Sequence, residues 1–462
     1  MVRRRGEFKD CHECSKKVVA LGEYMKRLEM ITREPRGLAL LVVLPLLLVM
    51  IIANFQPFFT GDEFIPFGAQ LESPGFFHGF AKMNEYKPRL MHHGILSALV
   101  SVSAPRWVWA ALVYIVLAAI AYLIIDIVGK LYRGSHRLLV LFLSAFAFFS
   151  SRYALVAYHE YANSLIDIVA LFFFLLGMRV FVVKRLLAGI GSFFVIAIMF
   201  VLAGLNHERY AIIGSAIIGV WALFCMVRNG FLYGLPRIAI ALIPVGLIIA
   251  LTLLVSKSGL TMGTGGQTVS MSGHVVINAM KYVSNIFLGT GFGPELFWGK
   301  LQGIGLVLSV FGTIVAIIMV FLGWLSRKGI QSKDCFAWVL IAGVFVAIGV
   351  MSLPAIERME MRWVTVVFVM LLFIFVMLSG KRALPVLSFL VIANFAFHAT
   401  AYRNNEILVV MAPKSAERFG GLLKVFDFNS ISLKVRANLD AGWLFLGSNP
   451  DQYMMANRKS VN

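Results

Sequence analysis

Residues 184–228 read KRLLAGIGSFFVIAIMFVLAGLNHERYAIIGSAIIGVWALFCMVR. Two 18-residue runs without a charge, 188–205 and 210–227, flank the turn Asn206-His207-Glu208-Arg209, and basic residues close both outer ends. A run of that length is enough to cross a hydrocarbon core of ~30 Å. The stretch therefore predicts a membrane hairpin with its basic ends on one side and its His-Glu turn on the other.

The same pattern extends in both directions. Apolar runs at 38–55, 107–128, 138–152, 161–183, 188–205, 210–227, 238–255, 304–326, 335–354, 363–379 and 383–402 predict about eleven transmembrane helices. The run at 138–152 is short and is counted because charged residues flank it. With 60% hydrophobic and 14% charged residues, the 462-residue chain belongs to the all-α polytopic membrane class. The net charge of +19 reports orientation rather than nucleic-acid binding, because the basic residues gather in short loops. Lys130/Arg133/Arg137, Lys184/Arg185, Arg228/Arg237, Arg327/Lys328/Lys333 and Lys381/Arg382 all fall on the side of the basic N-terminus. That alternation predicts the N-terminus inside and the C-terminus outside.

Three regions follow. Residues 1–37 form a basic cytoplasmic tail, which the run behind it makes an uncleaved signal anchor. Its stretch 16–31 has helical spacing suited to the inner leaflet. Residues 38–402 form the transmembrane domain, with outer loops 56–106 and 256–303. Met83–Ser103 predicts an interfacial helix in the first loop, and Val275–Leu288 an amphipathic helix in the second. Residues 403–462 alternate apolar and polar side chains around Ile407–Met411 and Ser430–Val435, predicting a small α/β appendage on the periplasmic side. Four cysteines are too few for a disulfide framework, and Cys11-His12-Glu13-Cys14 lacks the second pair a structural zinc site needs. The Gly263–Gly266 run lacks the P-loop lysine, so no nucleotide site is expected.

The acids are distributed unevenly. Of 23 Asp and Glu, the inner turns between spans hold essentially Asp334, while the outer face collects Asp62, Glu63, Glu160, Glu208, Glu357 and Glu360. Asp62-Glu63 follows the first span; paired carboxylates at a membrane boundary suit a general base or a metal, or form an acidic turn. Lys87, Arg89 and His92-His93 follow in the same loop. Glu160, Asn163 and Asp167 lie at i, i+3 and i+7 behind His159, lining one helical face. Asp167 sits inside a span, where an acid faces a polar cavity or a neighbouring helix. His207-Glu208 occupies the hairpin turn. Arg358 and Arg362, at i and i+4, suit a phosphate held in bidentate fashion or headgroup anchoring beside Trp363.

This arrangement of outer acids resembles the GT-C superfamily of integral-membrane glycosyltransferases, in particular the bacterial O-antigen-modifying glucosyltransferases of serotype conversion. The resemblance implies a catalytic carboxylate in the first outer loop, here Asp62 with Glu63 beside it. It also implies a polar site wall from His159, Glu160, Asn163, Asp167, His207 and Glu208. The carrier phosphate would be held by Arg358 and Arg362, with Lys87 and Arg89. The Gly61-Asp62-Glu63 sequence departs from the Asp-Asp common in relatives. The implied partners are a polyprenyl-phosphate-linked sugar donor, a glycan acceptor and membrane lipid, without nucleic acid. A flippase and a carrier-charging enzyme would complete the route, since no inner nucleotide domain is evident. The implied location is the bacterial inner membrane, with the active face periplasmic. No cofactor is demanded; a divalent metal is compatible with the outer acids, although no compact ligand set indicates one. The competing functions are an O-antigen polymerase or ligase and a lipid-linked glycan flippase or transporter.

Overall fold

The computed structural model describes residues 35–52, 75–86, 88–102, 104, 106–132, 134, 136–151, 162–184, 189–255, 272–288, 303–326, 332–353 and 361–404. All regular structure among them is helical. The chain runs through α1 (Pro35–Ile52), α2 (Phe76–Tyr86), α3 (Leu90–Ser101), α4 (Arg106–Leu131), α5 (Arg137–Phe149) and α6 (Ala162–Lys184). It continues through α7 (Ile190–Asn206), α8 (Glu208–Asn229), α9 (Phe231–Val255), α10 (His274–Leu288), α11 (Gly303–Leu325) and α12 (Ser332–Ser352). A 3-10 turn (Met361–Val364) leads into α13 (Thr365–Ser379), and a second (Gly380–Arg382) into α14 (Ala383–Asn404).

Among the described residues each of the eleven apolar runs contains a helix, because an apolar surrounding leaves backbone N–H and C=O groups no partner except one another. Six stretches among the described residues are long and apolar enough to cross a membrane: Trp107–Leu131, Leu165–Val183, Glu208–Asn229, Phe231–Val255, Cys335–Ser352 and Thr365–Phe395. The chain is a multi-pass membrane protein by that criterion. The last stretch reverses at Gly380, whose φ of +55° favours glycine. A Cβ on Gly323 of α11 would lie 2.7 Å from Ser379, and one on Gly312 would lie 2.9 Å from the Phe389 carbonyl oxygen. Going from 379 to 389 thus retraces α11 backwards, so α13 and α14 form a hairpin packed along it.

Two boundaries differ from the sequence expectation. The interfacial helix expected over Met83–Ser103 is two helices, α2 and α3, broken at Pro88. Proline lacks the N–H a continuing helix needs, and it disfavours helical geometry in the residue before it. Helix α9 begins at Phe231 rather than near 238 and carries Pro236 and Pro244 inside it. Beyond Pro244, the backbone N–H of Val245 donates to Ser215 Oγ of α8 at 3.2 Å, so the neighbouring helix supplies a partner at the interruption. Residues 1–34 of the basic tail, 405–462 of the C-terminal appendage and the loop 256–271 lie outside the described residues.

Helix α13 is the hub. Every residue in it except Leu371 and Leu378 is buried, as expected of a helix apolar on all sides. It packs against α4, α5, α11, α12 and α14. The hairpin α7–α8 is joined to α6 by two layers of rings. In one, Phe174 of α6 stacks on Phe200 of α7 with centroids 5.2 Å apart and meets Tyr210 of α8 edge-on. In the other, Trp221 of α8 stacks on Phe193 at 4.1 Å and meets Phe181 edge-on at 4.0 Å. Phe200 lies between two glycines: a Cβ on Gly177 would fall 2.8 Å from its ring, and one on Gly214 2.4 Å. Small residues let the helices approach this closely. Helix α9 exposes Leu242, Leu247, Leu253 and Leu254, a surface suited to lipid.

Gly214→Ala is therefore expected to destabilise the protein by about 1–3 kcal/mol through overpacking against Phe200. Gly246→Ala, whose Cβ meets nothing within 4 Å, serves as the control. Added helix propensity should leave the control unchanged or raise it by up to about 1 kcal/mol. Thermal unfolding in detergent measures both, and equal melting temperatures would refute the tight fit at Phe200.

Candidate functional site

The turn that decides the fold also centres the site. Helix α7 ends at Asn206, α8 begins at Glu208, and His207 alone links them with extended backbone (φ −146°, ψ 114°). Glu208 thus carries its negative charge at a helix N-terminus, where the backbone dipoles favour it. Across from it, Pro88 stops α2 and Arg89 precedes α3. The Arg89 guanidinium donates from Nε to Glu208 Oε2 at 3.1 Å and from Nη2 to Oε1 at 3.4 Å. Their side chains are 12% and 23% exposed, so this forked pair is largely removed from water. A second link is adjacent: Asn206 Nδ2 donates to Met91 Sδ at 2.8 Å and to the Leu202 carbonyl at 3.0 Å. Helix α3 is thereby fastened to the hairpin turn at two points.

Histidines crowd the same end. His207 Nδ1 lies 3.4 Å from Glu208 Oε2. His92 is buried in α3, and its ring centroid is 5.4 Å from that of His93. His93 follows Arg89 by one turn, and its Nδ1 lies 2.9 Å from Asn84 Oδ1 of α2. Crowding by protein atoms, then repulsion from Arg89, hold the His93 imidazole well below its ordinary range, at about 3, with Glu208 opposing. The ring is neutral near pH 7.

Two further contacts bring other elements to this end. Arg209, the residue after Glu208, lays its guanidinium over the Trp363 ring at 3.9 Å, tying α8 to the turn before α13. Tyr210 donates its hydroxyl to the backbone carbonyl of Asp167 at 3.4 Å, tying α8 to α6. Asp167 is buried, as an acid within an apolar span should be. Nearby, Asn278 of α10 donates to the Ser352 carbonyl at 3.3 Å, and His274 Nε2 lies 3.1 Å from the Leu353 carbonyl. These side chains satisfy carbonyls at the C-terminus of α12.

Among the residues predicted from sequence, the structure gathers Arg89, Asp167, His207 and Glu208 at one end. Asn163 lies in the first turn of α6 and Arg362 in the turn beside Trp363, so their backbones sit on elements of the same group. Asp62, Glu63, Lys87, His159, Glu160 and Arg358 lie outside the described residues. Sequence reasoning left Asn84, His93 and Arg209 out of the candidate set. Arg209 stood in the quoted turn and could have been included; the Asn84–His93 pair depends on how the chain turns at Pro88. At the opposite end, Arg179 Nε donates to Asp126 Oδ2 at 2.7 Å, and Lys130 pairs with the same carboxylate. Asp126, one of two acids within predicted spans, is thus held by charge pairing. Among the described residues no group of three His, Cys, Asp or Glu converges as metal ligands would. No family profile, curated protein or solved structure matches the chain.

Removing Glu208 strands the Arg89 charge in a poorly hydrated place, so Glu208→Leu should cost roughly 1–3 kcal/mol. Adding Arg89→Leu should recover part of that loss, since the double variant leaves neither charge unanswered. A double-mutant cycle by detergent melting reads the coupling, and strict additivity would count against a shared pair.

Acidification tests His93. The unfolded chain takes up a proton near the ordinary histidine value, 6.5, whereas the folded ring resists until about 3. Across that window the unfolded state binds more protons, so stability falls as pH drops. His93→Gln should flatten the fall in melting temperature between pH 6.5 and 4; an unaltered slope would exclude His93 as its source.

Proposed function

We propose that this protein is a membrane glycosyltransferase moving a sugar, a hexose such as glucose, from a polyprenyl-phosphate carrier to a lipid-linked glycan such as O-antigen. The observation that carries this reading is the convergence of Arg89, His93, Asp167, His207, Glu208 and Arg209 at one end of an otherwise apolar helical bundle. The substrates inferred are amphiphiles that present polar groups at the membrane boundary. In the topology proposed, eleven spans with the N-terminus inside put Lys130, Arg137, Arg179 and Arg228 toward the cytoplasm. The histidine-bearing end then faces the periplasm of a bacterial inner membrane.

The chemistry proposed is an inverting displacement. Asp62, with Glu63 beside it, accepts the proton of the acceptor hydroxyl as that oxygen attacks the anomeric carbon. The bond from that carbon to the carrier phosphate oxygen breaks, and the phosphate leaves with the electron pair. Arg358 and Arg362 answer its developing charge. Lys87 adds positive potential, while the charge of Arg89 is partly cancelled by Glu208. Trp363 stacked beneath Arg209 supports this assignment, because it joins the segment bearing Arg362 to the hairpin turn.

Mass spectrometry of cell-surface glycan from strains with wild-type protein, Asp62→Asn and no protein tests the proposal. One hexose per repeat should be lost in both the variant and the null. Unchanged glycan in the Asp62→Asn strain would remove Asp62 as the base, and altered chain length at constant composition would indicate a polymerase instead.

A further inference from the structure

Asn84 and His93 form a relay whose proton positions follow from hydrogen-bond logic alone. Asn84 is buried, and its Nδ2 donates to the Phe80 carbonyl one turn back in α2 at 2.8 Å. The opposite amide orientation would set two carbonyl oxygens against each other, so Oδ1 is the atom facing His93 Nδ1 at 2.9 Å. A carbonyl oxygen accepts but cannot donate. Nδ1 therefore carries the hydrogen, and in a neutral imidazole Nε2 keeps its lone pair. His93 is half-buried as a residue, and its Nε2 is not among the fully enclosed, partnerless polar atoms of the described residues.

We propose that His93 Nε2 is a hydrogen-bond acceptor for a hydroxyl of the glycan substrate, its tautomer set by Asn84. The source of that hydroxyl rests on the transferase reading above; the tautomer does not. The groups facing the ring from α3 and from the hairpin turn are Arg89, His92 and Glu208. A neutral acceptor beside a carboxylate and a guanidinium suits sugar hydroxyls, each of which can donate to one group while accepting from another. The phosphate of a sugar-loaded carrier is a diester with no proton to give, so its lone pairs would oppose that of Nε2. The subsite thus selects hydroxyl over phosphate, leaving the leaving group to the arginines. The hydroxyl belongs either to the lipid-linked donor sugar or to the acceptor glycan.

Nitrogen-15 histidine NMR of the full chain in a sugar-free detergent tests this, with the His93 signal assigned by its loss in His93→Gln. Between pH 5 and 8 the wild type should show protonated Nδ1 and a lone pair on Nε2, and Asn84→Leu should lose that preference. Polyprenyl-phosphate hexose and a free O-antigen oligosaccharide are then added separately. A shift of Nε2 with the first assigns the donor sugar, and with the second the acceptor; sugar-free polyprenyl phosphate, added at pH 8 where the monoester is almost wholly deprotonated, should leave it unmoved. An Nε2–H tautomer, a response to the sugar-free carrier, or no response to either glycan overturns the proposal. Hexose transfer measured on the same sample separates the two ideas. Transfer with an unmoved Nε2 removes the subsite alone, whereas a glycan response without transfer retains the subsite and removes the transferase reading.

Discussion

A charge can persist in an apolar surrounding where another charge, a dipole or an aromatic face answers it, and that constraint organises this protein from end to end. Asp126 is answered by Arg179 and Lys130, Glu208 by Arg89 and the α8 terminus, and Arg209 by the face of Trp363. Arg237, buried near the basic end, lies over the Tyr233 ring at 3.5 Å. Each answering side chain comes from a different element or a different turn of the same helix. The charges thus act as fasteners between elements as well as candidates for chemistry.

Between the two ends the bundle relies on shape. Lipid tails are as apolar as leucine, so helices gain little from hiding apolar surface from one another and depend on close packing. Phe200 between Gly177 and Gly214, and α14 against Gly312 and Gly323, are the clearest cases. With α13 buried at the centre, these contacts make a stiff frame. A stiff frame holds the Asn206–Arg209 turn and α3 in fixed relation, as a binding site requires.

Much of this was legible in the chain. Long uncharged runs with basic flanks marked the helices, because helix length against membrane thickness is a one-dimensional property. The Asn206–Arg209 turn was readable for the same reason, and so was its placement at the same end as Arg89 and Asp167. The break at Pro88 is also a local signal, although the apolar residues continue past it through Met91 and Leu96. Helix α9 starts earlier than its apolar run, since within the fold Arg237 donates to the Tyr233 carbonyl and the helix includes Pro236.

Amino-acid order suffices to make this a helical membrane protein, to set where most of its helices run, and to concentrate its acids and histidines beyond the ends of its apolar runs. Those properties follow from local composition, which a bilayer reads directly. The packing of the helices, by contrast, brings Arg89 to Glu208 across 119 positions, Arg209 to Trp363, and Asn84 Oδ1 to within 2.9 Å of His93 Nδ1. These pairings depend on the direction in which helices leave their turns and on which faces pack together. Side-chain geometry across helices is settled there, and no spacing along the chain encodes it.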